Sequence, residues 1–92
     1  MSLFDYYMEN YNSDVLKEWV DLCGSPKGVT RKADRAEFLA RTLTSAVEVR
    51  RLWDEMDDLS RKAVAAAYHN EGVFNADAFV AQYGRLPERL RR

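Results

Sequence analysis

Residues 27–35 contain the densest group of side chains that could bind an anion. Four of these side chains are cationic and one is a hydroxyl: Lys27, Thr30, Arg31, Lys32 and Arg35. The spacing puts Lys27 in a loop and the rest at the start of a helix, where backbone N–H groups also favour negative charge. This pattern is typical of contacts to backbone phosphates of nucleic acids. Asp34 and Glu37 in the same stretch favour the alternative of an ordinary solvated helix face.

The chain has few other residues from which a catalytic or metal site could be built. Cys23 is the only cysteine and His69 the only histidine, so an internal disulfide, a cysteine-based zinc site and most histidine chemistry are excluded. The carboxylates at positions 54, 55, 57 and 58 lack the alternating ligands and turn glycine of a calcium loop. We therefore expect a non-catalytic protein without a metal or cofactor.

Composition indicates one small globular domain. The chain has 92 residues, of which 47% are hydrophobic and 32% are charged, and its net charge is −1. This composition is too apolar for a disordered chain. Residues 30–45 carry four Lys or Arg against two Asp or Glu, whereas residues 46–60 carry two against five. Binding to DNA should therefore be non-specific, weak and sensitive to salt. The sequence has neither a membrane span nor a signal peptide, so we expect a cytoplasmic protein of bacterial type.

The apolar spacing predicts an all-α fold, a compact bundle of about six short helices, because no segment alternates with the period of a strand. The helices are expected at residues 3–10, 14–23, 31–43, 45–56, 59–70 and 76–83. Ser2, Asn12 or Ser13, Thr30 and Asn75 are candidate N-caps, and Ser45 with Glu48 forms a candidate capping box. Residues 1–84 should form the domain, and residues 85–92 a basic tail or linker with little to bury.

Aromatic residues divide into a core set and a candidate contact surface. Trp19 and Trp53 occupy apolar positions of their helices, and Phe79 and Tyr83 are expected to point inwards from the last helix. Three tyrosines crowd the amino end, namely Tyr6, Tyr7 and Tyr11. A surplus of exposed rings there would mark a surface for protein interaction or self-association. This is the alternative function, with the acidic stretch of residues 54–58 as a second possible docking surface.

The segment VLKEWVDLCGSPKGVTRKADRAEFLARTL, residues 15–43, resembles the SAP module, a helix-loop-helix that typically binds DNA. The likeness rests on three sets of residues. They are apolar residues of the first helix (Leu16, Trp19, Val20), the Gly24 stop, and the basic start and apolar face of the second helix (Arg31, Lys32, Ala33, Phe38, Leu39, Leu43). The SAP-like element, about residues 13–43, implies DNA binding through the basic outer face of its second helix.

The order of segments over the whole chain is similar to the amino-terminal region of bacterial helicase-associated proteins, which accompany DEAD/DEAH-type helicase modules. The segments that carry this likeness are SLFDYYMENY, the SAP-like pair, LWDEMDDLSRKAVAAAYHNEGVF and FVAQYGRLP. The resemblance implies an accessory piece that works with a helicase-type protein or with the remainder of its own chain. We expect a monomer or a weak dimer that does not bind a membrane. It should bind DNA through Lys27, Thr30, Arg31, Lys32 and Arg35.

Overall fold

Six α-helices and one short 3-10 helix form the fold. The computed structural model describes residues 2–90 and contains no strand within that range. The helices are α1 (Leu3–Asn10), α2 (Ser13–Leu22), α3 (Lys32–Thr42), α4 (Ala46–Trp53), α5 (Asp58–His69) and α6 (Ala76–Tyr83), followed by the 3-10 helix η1 (Glu88–Leu90). The predicted all-α class is confirmed. None of the helices in residues 2–90 is long and apolar enough to cross a membrane.

Side-chain caps start five of the six α-helices. The capping side chains are Ser2, Asn12, Ser45, Asp57 and Asn75, each of which accepts a first-turn N–H that would otherwise lack a partner. At α3 the cap position is Arg31, which makes no side-chain cap bond. The predicted Thr30 cap is therefore wrong, because Thr30 lies one residue before the position from which a side chain reaches the first turn.

The core lies where α1, α2 and α3 pack together. The α2 and α1 helices both pack on α3, and α4 packs on α5. The buried apolar side chains come from all six helices and include Tyr7, Leu16, Trp19, Leu39, Val64 and Phe79. The core position predicted for Trp19 is confirmed. Trp53 is half-buried and packs against this core, so the prediction of a second core tryptophan is confirmed only in part.

A buried hydrogen bond joins the first helix to the end of α5. The Tyr7 hydroxyl donates to the backbone carbonyl of Gly72, and the Tyr7 side chain is completely buried. Gly72 has φ +91°, and a Cβ added there would collide with Leu3 and crowd the Tyr7 hydroxyl. Position 72 therefore requires glycine for both its backbone conformation and its contact with α1.

The carboxyl-terminal segment packs against the helices, at least as far as residue 90. Pro87 is fully buried, Leu90 is 7% exposed, and η1 contacts α2. Arg85 and Arg89 act electrostatically on acids of the domain, lowering the pKa of Asp57 and of Asp21 respectively, as lesser causes beside hydrogen bonds. The expectation that this tail has little to bury is wrong for residues 85–90, and residues 91 and 92 lie outside the described range.

We predict that Tyr7→Phe lowers the free energy of unfolding by about 2 kcal/mol, because the buried Gly72 carbonyl loses its donor. Urea titration followed by circular dichroism measures the change. Tyr6→Phe on the same helix is the matched control and should stay within about 0.5 kcal/mol, since Tyr6 is only half-buried. Equal effects of the two substitutions would contradict this role for the Tyr7 hydroxyl.

Leu90→Ala should destabilise the domain by about 2 kcal/mol, because it leaves a cavity where η1 meets α2. Val47→Ala is the control, since Val47 is 72% exposed and its truncation removes little buried surface. Thermal unfolding monitored by circular dichroism compares the two variants. A Leu90→Ala protein as stable as the wild type would show that the segment is a linker after all.

Candidate nucleic-acid interface

The loop between α2 and α3 is held by hydrogen bonds at its start and is exposed to solvent in its middle. The Ser25 amide donates to the Val20 carbonyl at 3.1 Å, and the Ser25 hydroxyl donates to Asp21 at 3.0 Å. Further along, Lys27, Gly28 and Thr30 are exposed. The loop thus leaves Lys27 in solvent five residues before α3, and the Arg31 side chain at the cap position does not accept from the first-turn N–H groups of that helix.

Lys32 uses its charge inside the protein. Its Nζ donates to the backbone carbonyl of Met8 at 2.9 Å, and the contact is partly buried. Met8 lies in the last turn of α1, where carbonyl groups have no partner in the helix and a positive charge is favourable. The last turn of α1 contains no basic residue of its own. Lys32 therefore supplies the cation for the end of α1 from a different helix.

Arg35 connects α3 to the start of α2. Its Nη1 donates to the Ser13 hydroxyl at 2.7 Å and to the Ser13 carbonyl at 3.3 Å. The Nε of Arg35 is buried without a hydrogen-bond partner. A guanidinium held in this way is oriented towards α2 and away from bulk solvent, so its first role is to position α3.

These two contacts change the charge of the outer surface of α3. Of its cations, Arg31 and Arg41 are exposed, and so are the acids Asp34 and Glu37. The outer face is consequently balanced in charge, and the expectation that it forms the main basic surface is wrong. The physical reason is helical periodicity, which turns Lys32 and Arg35 towards α1 and α2. The exposed residues that remain from the predicted site are Lys27, Thr30 and Arg31.

The other residues that could do chemistry are buried, cap a helix or contact a neighbouring ring. Cys23 is buried, which raises the pKa of its thiol to about 12 and keeps it protonated and unreactive at neutral pH. Asp57 caps α5, and the hydrogen bond from the Ser60 amide lowers the pKa of its carboxyl group. His69 is exposed and its ring lies 5.4 Å from that of Tyr68. Within residues 2–90 no three His, Cys, Asp or Glu side chains are placed to hold a metal ion.

The tyrosines of the amino end pack among themselves and on the core. Tyr7 stacks on Tyr11 with ring centroids 5.1 Å apart, and Tyr6 meets Tyr11 edge-on at 5.9 Å. Tyr7 is fully buried, while Tyr6 and Tyr11 are half-buried. The surplus of exposed rings that would motivate a docking surface at this end is absent from the structure.

Comparison with protein-family models, with curated proteins and with solved structures found no match for this chain.

We predict that Arg35→Met lowers the free energy of unfolding by about 1–2 kcal/mol, because Ser13 loses a charged donor while the apolar stem is retained. Arg31→Met removes the same charge from an exposed position and should leave stability unchanged within about 0.5 kcal/mol. Urea titrations of both variants give the comparison. If Arg31→Met destabilised the protein as strongly as Arg35→Met, the claim that Arg35 positions α3 and Arg31 does not would be wrong.

Proposed function

We propose that this protein is a non-catalytic accessory module that binds the phosphate backbone of nucleic acid through the loop before α3 and the start of that helix. The contacting residues are Lys27, Thr30 and Arg31. The resemblance of residues 15–43 to the SAP module supports this proposal. The resemblance of the whole chain to helicase-associated proteins supports a place beside a helicase or another DNA-processing protein, in the cytoplasm of a bacterium.

One observation carries the proposal: exposed cations adjoin a helix start that lacks a side-chain cap. The first-turn N–H groups of α3 need an acceptor, and Arg31 at the cap position offers none. A phosphate oxygen is a suitable acceptor, since it would meet N–H donors, the Thr30 hydroxyl and the charges of Lys27 and Arg31 together. Lys32 and Arg35 contribute indirectly, because their bonds to α1 and α2 fix the direction of α3.

The small number of free cations sets the expected strength of binding. Lys27 and Arg31 can neutralise about two phosphates, whereas Asp34 and Glu37 on the same helix oppose a closer approach. Contacts of this kind do not read base edges, so binding should be independent of sequence. For two neutralised phosphates, the logarithm of the association constant should fall with the logarithm of salt concentration with a slope of about −1.8 on duplex DNA.

The test is a fluorescence anisotropy titration of labelled single- and double-stranded DNA, at low salt and near physiological salt. We predict saturable binding by the wild type at low salt and a loss of roughly tenfold or more in affinity for the double variant Lys27→Glu with Arg31→Glu. Circular dichroism should show that this variant folds normally, because both side chains are exposed.

The control is Lys17→Glu with Arg51→Glu, which changes the net charge equally at two surface cations that already pair with acids, Asp21 and Glu48. This control should bind DNA with nearly the affinity of the wild type. Unchanged DNA binding by the folded Lys27 and Arg31 variant would contradict the proposal, as would equal losses of DNA affinity in both double variants.

A further inference from the structure

Two aromatic side chains that the apolar pattern assigns to the core remain partly exposed. Trp53, the last residue of α4, is half-buried, and Tyr83, the last residue of α6, is 38% exposed. The prediction that Tyr83 points inwards is therefore wrong. Large rings that remain in contact with water offer flat apolar area for a partner.

A cation of α5 lies over each of these rings. The Arg61 guanidinium is 5.8 Å from the centroid of the Trp53 ring, and its Nε donates to the Trp53 carbonyl at 2.7 Å. The Lys62 Nζ is 5.1 Å from the centroid of the Tyr83 ring and 3.0 Å from the Asp58 carboxylate.

Two neighbouring depressions share Trp53 as their border. One lies between Trp53 and Tyr83 and is floored by the small side chains Ala65 and Ala66. The other lies on the α4 side of Trp53 and is bordered by Arg50 and Tyr68. We call the two depressions together the Trp53 groove.

The charges around the Trp53 groove are mainly positive. Arg50, Arg61 and Lys62 line it, against the single acid Asp58. This local excess contrasts with a net charge of −1 for the chain. A partner that fits the groove must therefore combine negative charge with flat rings.

We propose that the Trp53 groove binds single-stranded nucleic acid, with bases stacking on the exposed parts of the Trp53 and Tyr83 rings and with phosphates next to Arg50 and Arg61. Stacking between bases and aromatic side chains combined with a cationic track is how proteins hold single strands without reading their sequence. A duplex is a poor fit, because its bases are already stacked on one another. The inference rests on the proposed function, since both require a nucleic-acid partner, and it adds a second contact surface that selects single strands.

Intrinsic tryptophan fluorescence provides the readout. The chain has two tryptophans, and Trp19 is buried with 3% exposure, so a base that stacks on the protein should quench Trp53 alone. We titrate the wild type at low salt with a thymidine oligonucleotide and with an abasic phosphodiester of equal length and charge. The thymidine strand should quench saturably, the abasic strand should not, and Trp53→Phe should remove the quenching.

Anisotropy of the same strands tests binding without relying on a tryptophan variant that could disturb packing. Ala66 is exposed on the floor of the groove, so Ala66→Glu should fill it with an acid and weaken single-strand binding by roughly tenfold. Ala81→Glu, at an exposed position of α6 away from the groove, is the matched control and should bind like the wild type.

The outcomes separate this inference from the proposed function. If duplex DNA still binds through Lys27 and Arg31 while the thymidine strand fails to quench Trp53, the groove inference is overturned and the proposed function stands. Equal quenching by the abasic strand or by polyglutamate would also overturn it, because either would show that charge alone, or an acidic protein segment, is the occupant. Failure of every nucleic acid to bind at low salt would overturn both.

Discussion

A buried hydrogen bond from the Tyr7 hydroxyl joins the amino-terminal helix to the turn that follows α5, within a core to which all six helices contribute. Tyr7 reaches from α1 to the Gly72 carbonyl, and burial, the largest cause, raises the pKa of the phenol well above its usual range, so the group stays a neutral donor at physiological pH. The contact has a steric requirement on the other side, because only glycine at position 72 leaves room for Leu3. With α1 fixed in this way, the Met8 carbonyl stands where Lys32 of α3 can donate to it. The start of α3, and with it the candidate interface, is thus linked through α1 to the contact between Tyr7 and Gly72, which are 65 residues apart in the sequence.

The same residue type has different roles at the start of α3 because Arg31 precedes the helix and Arg35 lies within it. Arg31 is exposed at the cap position, where the backbone is still extended, whereas Arg35, four residues later, binds Ser13 of α2. Each of the two cations that point inwards, Lys32 and Arg35, donates to carbonyl or hydroxyl oxygens rather than to a carboxylate. Two of the three cations within α3 thus serve its packing, while Arg31 leaves a positive charge at the helix start.

Local signals in the sequence were sufficient for the helices. The bounds of α1 and α6 agree with those expected from their caps and apolar spacing, and the others differ by one to three residues at an end. Asn12 and Asn75 cap as predicted because capping depends on neighbours three residues away. The prediction of Thr30 as a cap was wrong because composition alone does not say which residue of a loop takes the cap conformation.

Features that depend on contacts between distant segments could not be predicted in this way. Periodicity identifies Trp53 and Tyr83 as apolar positions, but it does not say whether a neighbouring element covers them, and α4 packs mainly on α5. Residues 85–90 have no helical period, although Pro87 and Leu90 are buried. The inward turn of Lys32 and Arg35 required the positions of α1 and α2, which no pattern within α3 contains.

Heteronuclear NMR with an unlabelled thymidine oligonucleotide at low salt tests the central claim most directly, because it reports every backbone amide of the folded wild-type protein. Binding through the start of α3 predicts progressive shifts of the amides of residues 27–34, which should fade as salt is raised. The Trp53 indole N–H should shift with them and that of buried Trp19 should not. A complex that forms without moving the amides of residues 27–34, or no change anywhere at low salt, would contradict the account.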